Sequence, residues 1–206
     1  IIIVDDSIVR GNTIKHIVNL LKDHGVNDIY VAISCPRIVN KNKYGIDIPD
    51  KVVTIDDVAF QGNQLTTLEI GDSVTEIGSY AFEDNRLIKV DIPDAVTEIG
   101  DYAFYGNQIT NLDIGSNVET IGIHAFASNQ LKRIDIPDSV TTIDEGAFNY
   151  NQLKRVELPE NITTIESGAF SNNQLKRIVI PDSVDTINPG AFDGNPLKIV
   201  SISQDA

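Results

Sequence analysis

All seven phenylalanines of this 206-residue chain fall in one column: Phe60, Phe82, Phe104, Phe126, Phe148, Phe170 and Phe192, each 22 residues after the last. Each follows an alanine, from Ala59 to Ala191. Three residues after each stands an asparagine (Asn63, Asn85, Asn107, Asn129, Asn151, Asn173, Asn195), and five before it an isoleucine, from Ile55 to Ile187. Aliphatic residues recur five, eight and ten positions after the ring, as at Leu131, Ile134 and Ile136. No insertion or deletion interrupts the series. A unit of this length is too short to bury its own apolar side chains, so successive units must lie on one another and share an interior.

Each column has a predicted place in such a stack. The stretch Leu131–Ile136 alternates in and out at its C-terminal half, which predicts a β-strand. Repeated strands make a parallel sheet at ~4.8 Å per coil, so seven coils span roughly 34 Å. Pro-Asp follows the strand at Pro93-Asp94, Pro137-Asp138 and Pro181-Asp182, where proline presets φ for a turn. The Asp column at Asp50, Asp72, Asp94, Asp138 and Asp182 is assigned to that turn rather than to calcium. A second short extended piece, Val140–Ile143, returns along another side. The Ala-Phe pair places an aromatic in the core, and the Asn column is expected to satisfy backbone groups of adjacent turns.

Ile136-Pro137-Asp138-Ser139-Val140-Thr141-Thr142-Ile143 and Ala147-Phe148-Asn149-Tyr150-Asn151-Gln152-Leu153 resemble the BspA-like class of leucine-rich repeats. The resemblance covers residues 46–206 and implies a mainly-β, right-handed solenoid of seven 22-residue repeats. Arrays of this class are commonly surface-associated adhesins or recognition proteins. The resemblance therefore implies protein binding at the cell surface or outside the cell, and supplies no catalytic residues.

Residues 1–45 carry no copy of the repeat. Ile1–Val4 reads as a buried strand, Ile14, Ile17, Val18 and Leu21 fall on one helical face, Gly25 suits the residue after that helix, and Ile29–Ser34 reads as a second strand. This is one β-α-β unit, normally a right-handed crossover between parallel strands. Ile3-Val4-Asp5-Asp6-Ser7-Ile8-Val9-Arg10-Gly11-Asn12-Thr13 resembles the phosphoribosyl-pyrophosphate signature of the type I phosphoribosyltransferases, nearest to glutamine amidophosphoribosyltransferase. The match continues through Ile33, Ser34 and Pro36 to Tyr44-Gly45-Ile46-Asp47, with Asn12 where that enzyme usually has Thr. The resemblance implies that Asp5 and Asp6 meet ribose hydroxyls. It implies that Ser7, Arg10, Gly11, Asn12 and Thr13 lie on the loop that wraps a 5′-phosphate at a helix N-terminus, where free amides and the helix dipole favour an anion.

Two readings of that loop follow. One is a retained β-α turn serving as a cap over the apolar end of the solenoid; the other is weak binding of phosphate or a ribose phosphate. The pyrophosphate loop, the hood and the glutaminase domain of the enzyme have no counterpart here, and Cys35 does not stand where an N-terminal nucleophile would. Catalysis is not expected, nor is a cofactor. The two families share Ile46-Asp47-Ile48-Pro49 at their join, and the chain opens on Ile1 within an apolar run. Both features suit a fragment or a recombined or engineered fusion. The N-terminal resemblance by itself points to a cytoplasmic origin.

Charge narrows the partners. The formal net charge is −14, with residues 1–46 at +2 and residues 47–206 at −16. Such a balance disfavours nucleic acid and anionic membrane, because phosphate binding needs clustered cations. No apolar stretch approaches the ~20 residues needed to span a bilayer. One cysteine excludes an internal disulfide framework, and His16, His24 and His124 are scattered, suggesting neither a metal site nor a base. Asn161-Ile162-Thr163 fits a glycosylation sequon, relevant only to a chain secreted by a eukaryote.

Eight of the ten cations in the solenoid stand in two adjacent columns: Lys132, Lys154, Lys176 and Lys198 in one, Lys89, Arg133, Arg155 and Arg177 in the next. Two residues further on runs an acidic column, Glu69, Asp91, Asp113, Asp135 and Glu157, broken by Val179. Residues i and i+2 share a strand face, so Arg133 and Asp135 are expected to pair within and across rungs. Either the ladder is a solvated, self-neutralising surface, or Lys132, Arg133, Lys154, Arg155, Lys176, Arg177 and Lys198 mark a concave face that binds a protein. An open strand edge after Ser201-Ile202-Ser203 predicts either truncation there or end-to-end self-association.

Overall fold

The computed structural model describes residues 45–202, together with the backbone of two short strands near the start of the chain. Those two are β1 (Ile2–Val4) and β2 (Tyr30–Ala32), paired parallel with Ile3 opposite Val31. They fall within the stretches Ile1–Val4 and Ile29–Ser34 read as strands. The predicted helix, Cys35 and the loop from Asp5 to Thr13 lie outside the described residues.

From residue 45 the chain winds through alternating strands of two kinds. The longer ones are β3 (Gly45–Asp47), β5 (Thr67–Glu69), β7 (Lys89–Asp91), β9 (Asn111–Asp113), β11 (Arg133–Asp135), β13 (Arg155–Glu157), β15 (Arg177–Ile180) and β17 (Ile199–Ile202). Between them lie two-residue strands, each a polar residue and then the isoleucine of the repeat: β4 (Thr54–Ile55), β6 (Glu76–Ile77), β8 (Glu98–Ile99), β10 (Thr120–Ile121), β12 (Thr142–Ile143), β14 (Thr164–Ile165) and β16 (Thr186–Ile187). Every pairing among β3–β17 is parallel and joins residues 22 apart, so the sequence period is the spatial period. No helix occurs among the described residues.

The sheet differs from expectation in one respect. The short strands form a five-stranded sheet in the order β12-β10-β8-β6-β4 with a further pair β14-β16, whereas the longer ones form separate pairs, β3-β5, β7-β9, β11-β13 and β15-β17. Within three of those pairs the residue before the strand adds a bond, as in Thr110 N to Ile88 O and Lys154 N to Lys132 O, both 2.9 Å. Between pairs the bonds lie in the preceding bend, as in Gln130 N to Ile109 O at 3.0 Å. A ladder only three residues long is interrupted by the loss of one bond. The coil spacing is held elsewhere, so the interruption is tolerated.

What holds it is the interior. Phe82, Phe104, Phe126, Phe148 and Phe170 are fully buried, and successive rings from Phe60 to Phe192 stack with centroids 5.2–5.7 Å apart and planes within 12° of parallel. Offset stacking of this kind adds to the burial term of each ring. The preceding alanine lets the backbone come close: the N–H of each Phe from 60 to 170 donates to the Ala carbonyl of the next coil at 2.7–2.9 Å. The Pro-Asp turns form as read, with Val96 N donating to Pro93 O and Val140 N to Pro137 O. Asp94 has a structural role there, accepting a bond from the amide of Ser116 at 2.7 Å. That bond holds its carboxyl below the ordinary carboxylate range.

The asparagines complete the core. Asn129 Oδ1 accepts from Ile109 N at 3.0 Å, while its Nδ2 donates to Phe104 O at 2.9 Å and to Phe126 O and Ala127 O at 3.2 Å. Asn85, Asn107, Asn151 and Asn173 repeat that pattern and are buried. One amide thus satisfies buried groups of its own coil and of the coil before it, and a buried amide or carbonyl left unpaired is costly. Among the described residues Asn63, in the first coil, bonds Phe60 O and Gln61 O alone.

Two positions per coil lie in the left-handed region. One runs Val58, Tyr80, Tyr102, His124, Gly146, Gly168, Gly190 and the other Gly62, Asp84, Gly106, Ser128, Tyr150, Asn172, Gly194, with φ between 51° and 71°. Glycine takes this conformation without strain, and Val58 is the most strained occupant because its side chain branches at Cβ.

Replacing Asn129 with Asp removes the donors to three carbonyls and sets a charge in the core. The expected loss is roughly 3 kcal/mol or more, read as a lower denaturation midpoint. Asn63→Ala, which removes no bond to another coil among the described residues, is expected to cost less than half as much.

Candidate recognition face

The outward residues of the longer strands make a continuous polar face. Strands β7, β11, β13 and β15 turn Val90, Ile134, Val156 and Ile178 into the core and the residues on either side of each to solvent, as the alternation of a strand requires. The residue before the strand is also exposed, because it sits in the bend after the buried Leu87, Leu131, Leu153 or Leu175. Three columns of side chains result.

The structure brings the predicted recognition residues together on this face. Lys132, Arg133, Lys154, Arg155, Lys176, Arg177 and Lys198 are all exposed and occupy four consecutive coils. Arg133 and Arg155 are in register across β11 and β13, as are Asp135 and Glu157. Three ion pairs form, each along a single strand: Lys89 with Asp91, Arg133 with Asp135 at 2.8 Å, and Arg155 with Glu157. The hydrogen bond from Lys89 to Asp91 holds its ammonium above the ordinary lysine range. No pair across rungs occurs among the described residues, so that part of the expectation is not met. Each cation takes the carboxylate two residues on, which shares its strand face. These side chains are more than half exposed, so the pairs are weakly held and add little to stability. Val179, 44% exposed, stands where Arg177 would find its carboxylate.

At the middle of the face a depression of about 450 Å³ is lined by Lys89, Asp91, Asn111, Asp113, Arg133 and Asp135 and floored by Leu112 and Ile134. It spans β7, β9 and β11 and so bridges the break between β9 and β11. Among the described residues no group of three or more His, Cys, Asp or Glu side chains is arranged to hold a metal ion.

A second surface feature escaped the sequence reading. The left-handed column projects Tyr80, Tyr102 and His124 in a row of rings, the tyrosines stacked at 5.0 Å and His124 tilted by 45° at 5.1 Å from Tyr102, and Tyr105 packs edge-on to Tyr102. The stack ends at Gly146, over which the His124 imidazole lies so closely that a Cβ there would meet it. His124 Nδ1 is buried without a partner. Beside this stack burial, with the charges of Asp101 and Glu166, raises the Asp144 carboxyl above its ordinary value. Burial likewise raises the Tyr102 phenol, reinforced by Tyr80, Tyr105, Asp101 and Glu145. The signal that marks this column is the positive φ, which a run of Val, Tyr, Tyr, His and Gly does not announce.

Comparison with known proteins follows the same division. The family described as BspA type leucine rich repeat region matches in six copies, over residues 39–153 and 81–199. Among solved structures, a leucine-rich repeat protein from Bacteroides ovatus superposes with a TM-score of 0.60 at 25% identity, over 77% of this chain and 51% of that one. A stretch of 48 residues, 23% of this chain, is 56% identical to an amidophosphoribosyltransferase of Staphylococcus epidermidis. A chloroplastic amidophosphoribosyltransferase of Vigna aconitifolia is 47% identical over 51 residues. The chain spans about 10% of the length of these enzymes.

The raised Asp144 carboxyl gives a signed expectation. A folded-state value above the unfolded one means that the ionised form is disfavoured by folding, so Asp144 costs stability above its folded pKa and nothing below its unfolded one. Asp144→Asn is expected to raise the thermal midpoint at neutral pH, with the gain vanishing as pH falls below the ordinary Asp value of 3.8.

Proposed function

Because this chain belongs to the BspA-type leucine-rich repeat proteins, we propose that it is a non-catalytic recognition or scaffold solenoid that binds protein through its ladder face. The observation that carries the reading is the concentration of seven exposed cations on four adjacent coils of a chain whose net charge is −14. Nothing in the packing of the coils requires those charges. The equivalent outward positions in earlier coils are Thr66, Thr67, Ile88, Lys89, Thr110 and Asn111, a single cation among them, and the stack is equally regular there.

Residues 1–45 are read as the N-terminal cap of the array. Support comes from the parallel pairing of β1 with β2 and from the approach of β2 to β4, the first strand of the five-stranded sheet, within 8 Å between Cα atoms. A parallel pair continuing the stack would cover the apolar end of the first coil. The presence of sequence related to two unrelated families supports a recombined or engineered origin for the chain.

The test of recognition is a pull-down with the intact chain and with the double variant Lys154→Glu/Lys176→Glu. Proteins retained by the unmodified chain should be lost from the variant; equal retention by both refutes a role for the face.

A second reading rests on the 48-residue likeness to amidophosphoribosyltransferase. Under it, Asp5, Asp6, Ser7, Arg10, Gly11, Asn12 and Thr13 retain weak affinity for phosphate or a ribose phosphate. Calorimetric titration with phosphoribosyl pyrophosphate and magnesium decides it. Saturable heat abolished by Asp5→Asn/Asp6→Asn supports binding, and heat no greater than dilution leaves the segment with the capping role alone.

A further inference from the structure

The ladder face is charged antisymmetrically along its length. In its three outward columns, β3, β5, β7 and β9 contribute Asp47, Glu69, Asp91 and Asp113 against one described cation, Lys89. The four remaining coils contribute the seven cations already named against Asp135 and Glu157. Once the three ion pairs along the strands are set aside, one half keeps Asp47, Glu69 and Asp113, and the other keeps Lys132, Lys154, Lys176, Arg177 and Lys198. The sign changes between β9 and β11, the fourth and fifth of the eight longer strands, at the break in the ladder and the depression that bridges it.

A surface that reverses its charge about its own midpoint is complementary to itself after a half-turn about that point. We propose that the ladder face docks on the ladder face of a second copy of this chain, antiparallel, with the two-fold axis passing between β9 and β11. In that arrangement β11 of one copy faces β9 of its partner, β13 faces β7, β15 faces β5 and β17 faces β3.

Side-chain length fits as well as charge. The acidic half presents short residues at the positions of the cationic columns, Thr67, Thr110 and Asn111 among them, while the basic half presents long Lys and Arg. An anionic polymer would meet the basic half and be repelled by the acidic half, leaving half the face without a partner. A second copy uses both. Val179 and Ile88, exposed at 44% and 52%, add apolar area at the flanks of the axis.

The inference rests on the face being a protein-recognition surface and names its partner, so its test is kept separate from the pull-down. Sedimentation of the full chain across concentration should show a monomer–dimer equilibrium. Its dissociation constant should rise at least about tenfold between about 0.1 M and about 1 M salt, as the Debye length shortens from ~10 Å to ~3 Å. Lys154→Glu/Lys176→Glu removes most of the excess positive charge of the basic half, and Glu69→Lys/Asp113→Lys turns the acidic half weakly basic. Each variant alone should dimerise far more weakly than the unmodified chain, and an equimolar mixture, in which one acidic half again faces a basic half, should recover part of the association as a heterodimer. All four positions are exposed, and an unchanged denaturation midpoint verifies that the variants fold. An unmodified chain that stays monomeric at every concentration overturns the inference. So does a dimer indifferent to both variants, which would locate the contact elsewhere, as at the exposed Ile199, Val200 and Ile202 of the last strand.

Discussion

Every coil of this protein must put a turn of backbone into an interior it shares with its neighbours, and buried carbonyls and amides there need partners that a 22-residue unit cannot supply from its own strands. The side-chain amide of the Asn column supplies them. With Asn107 as the example, Oδ1 accepts from Leu87 N, and Nδ2 donates to the carbonyls of Phe82 and Phe104. One planar group with an acceptor on one side and donors on the other thereby fixes the distance and the rotation between two coils. The rings follow from that constraint. Once the Phe carbonyls of successive coils are tied to the same amide, the phenylalanines stand above one another, and stacking at 5.2–5.7 Å is the only packing the geometry leaves them. The alanines follow too, since the Phe N–H reaches the next coil's Ala carbonyl only where no larger side chain keeps the backbones apart.

This hierarchy explains which features were legible in the sequence. A column under a stacking constraint keeps one residue type, so Phe, Ala, Asn and Ile could be read directly, and each points where its chemistry required. Other columns answer to the backbone alone. The left-handed positions accept Val58, Tyr80, His124 and Gly146 alike, so nothing in their composition reveals a shared φ near +60°. The division of the longer strands into pairs was equally hidden. Coils whose spacing is set by Asn and Phe gain little from a continuous three-residue ladder, and no residue marks where one is dropped.

The recognition face was legible in its residues and not in its bonding. The basic and acidic columns were evident from spacing alone. That Arg133 would turn to Asp135 of its own strand, rather than to the neighbouring coil, depended on side-chain reach, which periodicity does not encode. The phosphate-loop residues from Asp5 to Thr13 lie outside the described residues, so their likeness to a phosphoribosyltransferase stands on sequence alone.

The separation of constrained from unconstrained columns also locates function. In a solenoid held together by its interior, outward residues of the strands contribute little to folding, as the weak exposure-dominated ion pairs illustrate. Were those positions filled without regard to one another, acids and bases would be scattered over all eight longer strands. They are instead sorted, with carboxylates dominating up to Asp113 and cations dominating from Lys132 onward, while the Phe, Ala and Asn columns beneath them continue unchanged across the boundary. A difference that the fold neither requires nor benefits from calls for an explanation in what the face touches. The change of sign at the midpoint, and not the number of charges, is what that explanation has to account for.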